Sequence, residues 1–244
     1  MDVIKPNWSA PQHVHAFSTL TSGGYSLPPY ASLNLGDHVG DDPNTVKRNR
    51  TLLVEALKLP QFPLFLNQIH STRVLSLPTT GQNRDADAVY THQANQVCLV
   101  MTADCLPVLL THSEGNEVAA VHAGWRGLCH GILERTVEKF QAPTDQLMAW
   151  LGPAISQPYF QVGKEVREQF IAQDPDAACA FLPDPVVVEK YLADLYLLAT
   201  QRLNKLGITQ VSGGDYCTFA QKEQFFSYRR EQRTGRMATL IWFE

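Results

Sequence analysis

Three short apolar runs in the middle of the chain, Val97–Thr102, Pro107–Leu110 and Val118–His122, limit the fold more than any other feature. They are too short for helices, and none alternates with polar residues. The pattern therefore predicts strands buried on both faces, which need a layer on each side. Helical spacing supplies candidate layers. Asp41-Asp42-Pro43 reads as a helix start, with a side-chain acceptor followed by Pro in the first turn, and Val46, Leu53 and Leu57 follow it. Ile132 to Phe140 has helical period, and Val162, Val166 and Phe170 mark another helix. The clearest helix is expected from about Tyr191 to Leu206, stopped by Gly207. Further strands are expected at Leu64–His70, Met148–Leu151 and Ala238–Phe243. Helices and strands mix without strict alternation, which favours α+β with mixed β-sheets covered by helices over a doubly wound fold.

No repeat, low-complexity tract or Pro/Ser-rich linker divides the 244 residues, so one domain, 1–244, is expected. A net charge of −4 and 18% charged residues, with no basic run, argue against nucleic acid as the main partner. The ligand should be a small molecule. The start, Met1-Asp2-Val3-Ile4-Lys5-Pro6, lacks the pattern of a signal peptide. The central apolar run Val97–Met101 is far too short to span a membrane. Five scattered cysteines, an odd number, read as reduced thiols of a cytoplasmic protein.

Three polar positions fall where predicted strands end: His70, Cys105 and His122. One thiolate and two imidazoles can hold zinc and leave a fourth position for water or substrate. The spacing leaves two other readings open. The three can be buried structural residues, or Cys105 can be a nucleophile with His122 or His70 as its base. Asp104 adjoins Cys105, so on a strand its side chain points to the opposite face. That makes it a support for a histidine or a backbone amide and not a partner of the thiol. Ser22–Ser26 and Ser212–Asp215 read as glycine turns. Arg229 and Arg230, with Arg233 and Arg236, form a basic cluster, either a solvated loop or an anion site. His13 and His15 share one face of a strand, which is weak evidence for a metal.

Several blocks resemble those of the YfiH family, also called the polyphenol-oxidase laccase-domain or purine nucleoside phosphorylase family. They include Pro29–Gly36, His38–Asp42, Gln68-Ile69-His70, Thr102–Leu109, Val121–Gly127, Trp150–Ile155, Phe225–Arg230 and Thr234–Ala238. The resemblance implies a single α+β domain with mixed sheets sandwiched between helices. It also implies a zinc site of His70, Cys105 and His122, with Gln68 and Asp104 as supporting residues. The implied activity is phosphorolysis of adenosine, inosine and S-methyl-5′-thioadenosine to free base and sugar 1-phosphate, with adenosine deamination beside it. The substrates are then a purine nucleoside and phosphate, taken by a monomer or homodimer. Copper-dependent phenol oxidation and action on a peptidoglycan precursor are alternatives within the same resemblance. Cu2+ outcompetes Zn2+ on intrinsic affinity, but eight histidines with a single His-x-His are too few for a three-copper cluster beside a fourth copper. The zinc-deaminase signature is absent. Phosphorolysis needs an anion site, for which Arg126, Arg229 and Arg230 are the candidates. The chain departs from the family pattern at Thr21 and Tyr216, where Arg is usual, and at Ser71 and Ser156, where Gly is usual.

Overall fold

In the computed structural model, which describes Met1–Glu244, the chain begins with β1 (Val3–Ile4) and β2 (Val14–Thr19). Helix α1 (Pro43–Leu57) follows, and its start is as the sequence predicts: the Asp42 carboxylate accepts the Thr45 backbone N–H at 2.8 Å. Five strands then run without an intervening α-helix: β3 (Val74–Leu77), β4 (Ala88–Thr91), β5 (Cys98–Thr102), β6 (Leu106–His112) and β7 (Val118–Ala123). After them come α2 (Trp125–Cys129), α3 (Ile132–Val137), β8 (Leu147–Leu151), β9 (Gln161–Gly163) and α4 (Lys164–Gln173). The remainder is β10 (Phe181–Pro183), β11 (Lys190–Ala193), α5 (Leu195–Lys205), β12 (Gln210–Gly213), α6 (Tyr228–Glu231) and β13 (Met237–Phe243).

Two sheets stack at the centre. The larger has six strands in the order β12-β8-β6-β7-β4-β3, and the smaller has four in the order β1-β2-β13-β5. The larger is mixed, since β12 and β8 are parallel, as are β3 and β4, while its other pairs are antiparallel. The period-2 alternation of side chains distributes the core. On β6, Leu106, Val108 and Leu110 pack against Leu128, Leu133 and Leu198 of the helical layer. Leu109 points the other way, toward Val100 and Ile241 of the smaller sheet. On β5, Cys98 and Val100 face the larger sheet, whereas Leu99 and Met101 face Leu53 of α1. The result is a helix, sheet, sheet, helix sandwich in a single α+β domain. It explains why the central runs are apolar on both faces: each strand has a neighbouring layer on either side. A third, three-stranded sheet, β10-β11-β9, lies apart from this pair.

The structure corrects four local expectations. Leu64–His70 is not a strand; it holds one isolated bridge, Asn67 with Asp85. Its backbone lacks a strand partner because the Gln68 side chain takes that role, giving Nε2–H to the Met101 carbonyl and accepting the Met101 N–H, both at 2.7 Å. An amide side chain thereby completes the outer edge of β5. The helix expected from Tyr191 begins four residues later, at Leu195. Asp194 caps it by accepting the Leu197 N–H at 2.9 Å, and Tyr191 belongs to β11 instead. Helix α3 closes at Val137, short of Phe140. Val162 lies in β9, before α4 starts.

Candidate metal centre and its cavity

β5 belongs to the smaller sheet and β6 to the larger, so the short link Ala103-Asp104-Cys105 crosses from one to the other. Asp104 makes the crossing with a φ of 87°, in the left-handed region. Cys105 then stands at the threshold of β6, while His122 sits on the adjacent strand β7, paired with Pro107. His70 reaches the same point from the segment before β3, also left-handed at φ 59°. Nδ1, Nε2 or Sγ atoms of the three residues all lie within 4.8 Å of one another, and no other cluster of metal-ligating side chains of this kind exists in the chain. Cys105 Sγ is 3.8 Å from His70 Nε2, and the two imidazoles meet edge-on with centroids 4.9 Å apart. Tetrahedral zinc with one sulfur and two nitrogens separates its ligands by about 3.4–3.6 Å, so this donor set fits a single divalent cation. Gly124 permits the approach, since a Cβ there would lie 2.7 Å from His70 Cδ2 and 3.2 Å from Cys105 Sγ. Gly124 is also the N-cap of α2, whose first turn begins at Trp125.

The carboxylate that organises these ligands is Asp87, which sequence reasoning missed. It is fully buried and immediately precedes β4. The β4–β7 register pairs Ala88 with Val121, which brings Asp87 opposite His122. Asp87 Oδ1 is 2.8 Å from His122 Nδ1 and accepts the His70 N–H at 2.9 Å. Its Oδ2 accepts the Ser71 N–H at 2.5 Å and the Ser71 hydroxyl at 2.7 Å. One carboxylate thus orients an imidazole and the backbone that carries the second one, leaving His122 Nε2 for the cluster. Burial opposes the charge on Asp87, but the bonds from His122 and Ser71 outweigh it and hold the carboxyl below the usual range. Burial likewise opposes a Cys105 thiolate. The charges and hydrogen bonds of His122 and His70 prevail and bring the thiol down to about 6. His122 is pushed up to about 9, the burial cost being exceeded by Cys105 and Asp87. The only hint of Asp87 in the sequence is a carboxylate heading an apolar run, Ala88-Val89-Tyr90; strand pairing gives it a role.

Asp104 has different partners. It accepts the Thr218 hydroxyl at 2.6 Å, the Ser227 hydroxyl at 3.1 Å and the Arg229 N–H at 2.6 Å. It therefore anchors a backbone amide, one of the two supports expected for it, and ties the crossing segment to α6.

The cluster lies in the wall of a cavity of about 450 Å³, a size suited to a small ligand. Gln68, Arg126, Tyr228, Arg236 and His38 share that wall. Of the candidate anion binders, Arg126 is thus placed at the cavity, with its guanidinium over the Trp125 ring at 4.6 Å. Arg229 and Arg230 do not line it. Arg230 donates to the carbonyls of Thr218, Phe219 and Phe225 at 2.8–2.9 Å, and Arg229 to that of Gln161 at 2.9 Å. These guanidiniums fasten loops together. The fourth member of the basic cluster, Arg236, takes their place in the cavity. Burial pushes its guanidinium down, against the opposing pull of Cys105 and Asp104. Thr21 and Tyr216, the two departures from Arg, lie outside the cavity wall. Ser71 strengthens the cradle around Asp87, while the Ser156 hydroxyl bonds Cys217 Sγ at 2.9 Å. His15 stacks on Trp242 at 5.0 Å and pairs with Glu244, away from any second metal cluster.

A family profile described as multi-copper polyphenol oxidoreductase laccase matches residues 14–244. The chain belongs to this family, the YfiH family. A Haemophilus influenzae relative named purine nucleoside phosphorylase is 62% identical over 244 residues, covering 100% of both chains. An Escherichia coli relative named purine nucleoside phosphorylase YfiH is 52% identical, covering 98% of each. Among solved structures, a Neisseria meningitidis DUF152 protein superposes with a TM-score of 0.95 at 45% identity and 100% coverage of both chains. A Bacillus licheniformis YfiH protein gives 0.86 at 29%, covering 95% of this chain and 93% of its own. This YfiH chain contains no helix long and apolar enough to cross a membrane.

Proposed function

We propose that the chain is a zinc-dependent purine nucleoside phosphorylase, converting adenosine, inosine and S-methyl-5′-thioadenosine to base and sugar 1-phosphate, with adenosine deamination as a side activity. One observation carries the reading: three metal donors and two guanidiniums converge on one cavity of nucleoside size. The names of the relatives at 62% and 52% identity agree with it. His70, Cys105 and His122 are the proposed ligands. Bound there, a divalent cation supplies Lewis-acid polarisation of an oxygen ligand.

The chain's own residues do the rest. Asp87 fixes the His122 tautomer and holds the His70 backbone, so the donor set is formed before any ligand arrives. Arg126 has no hydrogen-bond partner within the fold, which leaves its five donors for phosphate. Arg236 gives Nη1 to the carbonyls of Thr234 and Gly235 at 3.1 and 3.0 Å, leaving Nε and Nη2 for the same anion. Two cations beside the anomeric carbon bring the nucleophile and neutralise its charge as the glycosidic bond stretches. All five cysteines are unpaired thiols, consistent with a reducing cytoplasm.

The test is base release by zinc-loaded protein, with phosphate, from the three nucleosides. Turnover should require both phosphate and metal, and Cys105→Ala should lose metal and activity together. Base release from metal-free Cys105→Ala protein would overturn the reading.

A second reading has an observation of its own. Cys105, His122 and Asp87 stand in the order nucleophile, base and orienting carboxylate, and the thiol is held at about 6. That arrangement suits a cysteine hydrolase acting on an amide, such as one in a peptidoglycan precursor. It predicts an acyl adduct on Cys105 and turnover undiminished by chelators; loss of turnover on zinc removal would rule it out. The copper oxidase reading has less to rest on, because the cluster offers three donors and no second cluster adjoins it.

A further inference from the structure

A purine leaving a sugar carries the electron pair of the broken bond and needs a proton. The metal-ligand cluster does not supply one: His70, Cys105 and His122 are committed to the cation in the proposed enzyme. Of the remaining polar groups on the cavity wall, Arg126 and Arg236 are guanidiniums suited to an anion, and Gln68 is held by the Met101 backbone; an imidazole is the side chain whose proton exchange falls nearest neutral pH. His38 is left. We propose that His38 is the catalytic acid that protonates the departing purine.

The backbone on either side of His38 is pinned, while its imidazole is 56% exposed. Asn34 donates Nδ2–H to the Gly36 carbonyl at 3.0 Å and to Asp41 at 2.9 Å, and accepts the Gly36 N–H at 2.9 Å. On the other side of the histidine, the Tyr30 hydroxyl donates to the Val39 carbonyl at 2.8 Å. Gly36 lies directly on Arg236: a Cβ there would come within 2.8 Å of Arg236 Cγ. The loop is therefore pinned on both sides of residue 38 against the residue proposed to hold phosphate. His38 Nδ1 faces Asp37 Oδ1 at 3.7 Å, an ion-pair distance, and Nε2 has no hydrogen-bond partner within the fold. The charged groups acting on the ring are Arg236 and Arg50, which favour its neutral form, and Asp37, which favours the imidazolium. Burial and then Arg236 prevail and set its pKa below the ordinary histidine value, which makes the imidazolium a stronger acid.

The step balances without an oxidant. A phosphate oxygen bonds to C1′ as the C1′–N9 bond breaks, and that electron pair goes to the purine. His38 gives its proton to purine N7. The proton that hydrogen phosphate sheds on becoming a sugar phosphate dianion returns the imidazole to its charged form through solvent.

This assignment rests on the nucleoside phosphorylase reading. It is tested with zinc-loaded wild type, His38→Ala and His38→Gln on inosine and on 7-methylinosine, whose purine already carries a positive charge and leaves without a proton. Both variants should lose about 100-fold or more in kcat on inosine and under about tenfold on 7-methylinosine, with metal content unchanged. The decline of inosine turnover as pH rises through the His38 pKa should vanish in His38→Gln, which also serves if the alanine variant fails to fold. Equal losses on both substrates, or no loss on inosine, overturn the role of His38 while leaving the phosphorylase reading intact. A loaded wild type that releases base from neither substrate overturns that reading, and this inference with it.

Discussion

Asp87 and Asp104 are both buried carboxylates behind the wall of the same cavity, yet they hold different things. Asp87 touches an imidazole and the backbone beside a second one; Asp104 touches two hydroxyls and the amide of Arg229. The first sits on the ladder of the larger sheet and sets the orientation of ligands. The second sits where the chain passes between sheets and joins that crossing to the C-terminal segment carrying Tyr228 and Arg236. The difference shows that a buried charge takes its role from its partners. It also implies that the metal-binding wall and the cationic wall are stabilised separately.

The sharpest break in that contrast comes from the ligands themselves. His122→Ala should empty the site by elemental analysis and reduce base release about a thousandfold or more, the scale of losing a metal's contribution. A variant retaining full metal and activity would dissolve the distinction between the two walls.

Asp104→Ala leaves two hydroxyls and an N–H without an acceptor and should cost about 3 kcal/mol in urea unfolding. Its metal affinity should drop far less than that of Asp87→Asn. The latter should weaken zinc binding by about 10- to 100-fold in a chelator competition, because the imidazole loses its orienting charge. If the two substitutions affect metal affinity alike, the walls are not independent.

Arg126→Ala should raise KM for phosphate about tenfold, the value of one charge-assisted contact. Arg230→Ala should leave that KM alone and lower the melting temperature, since its guanidinium is taken up by three backbone carbonyls and the Glu231 carboxylate. The smallest effect is expected from Ser71→Gly. It removes one hydroxyl bond to Asp87, worth about 1 kcal/mol, and should show as a loss of about that size in urea unfolding, with metal affinity lowered less than in Asp87→Asn.

Much of this molecule is legible from residue order. Runs apolar on both faces require a covering layer on each side, and Asp42-Pro43 and Gly207 mark helix ends by local backbone chemistry. The errors are also local in kind. Gln68 satisfies an edge strand with its side chain, so an apolar segment that reads as a strand needs no strand partner. Asp194 caps a helix inside a stretch whose periodicity begins earlier. The candidate metal donors His70, Cys105 and His122 were identifiable as Cys and His at the ends of apolar runs, together with the family resemblance.

Residue types and their spacing determined the buried strands and the layers on either side of them, and with the family resemblance they pointed to His70, Cys105 and His122 as candidate ligands. Only the tertiary structure decided which carboxylate faces His122, which arginines reach the cavity, and that His38 stands there. The reason is physical: strand register and the crossing at Asp104 bring together residues 35 or more positions apart, such as Asp87 and His122. Local propensity carries no information about pairings at that separation.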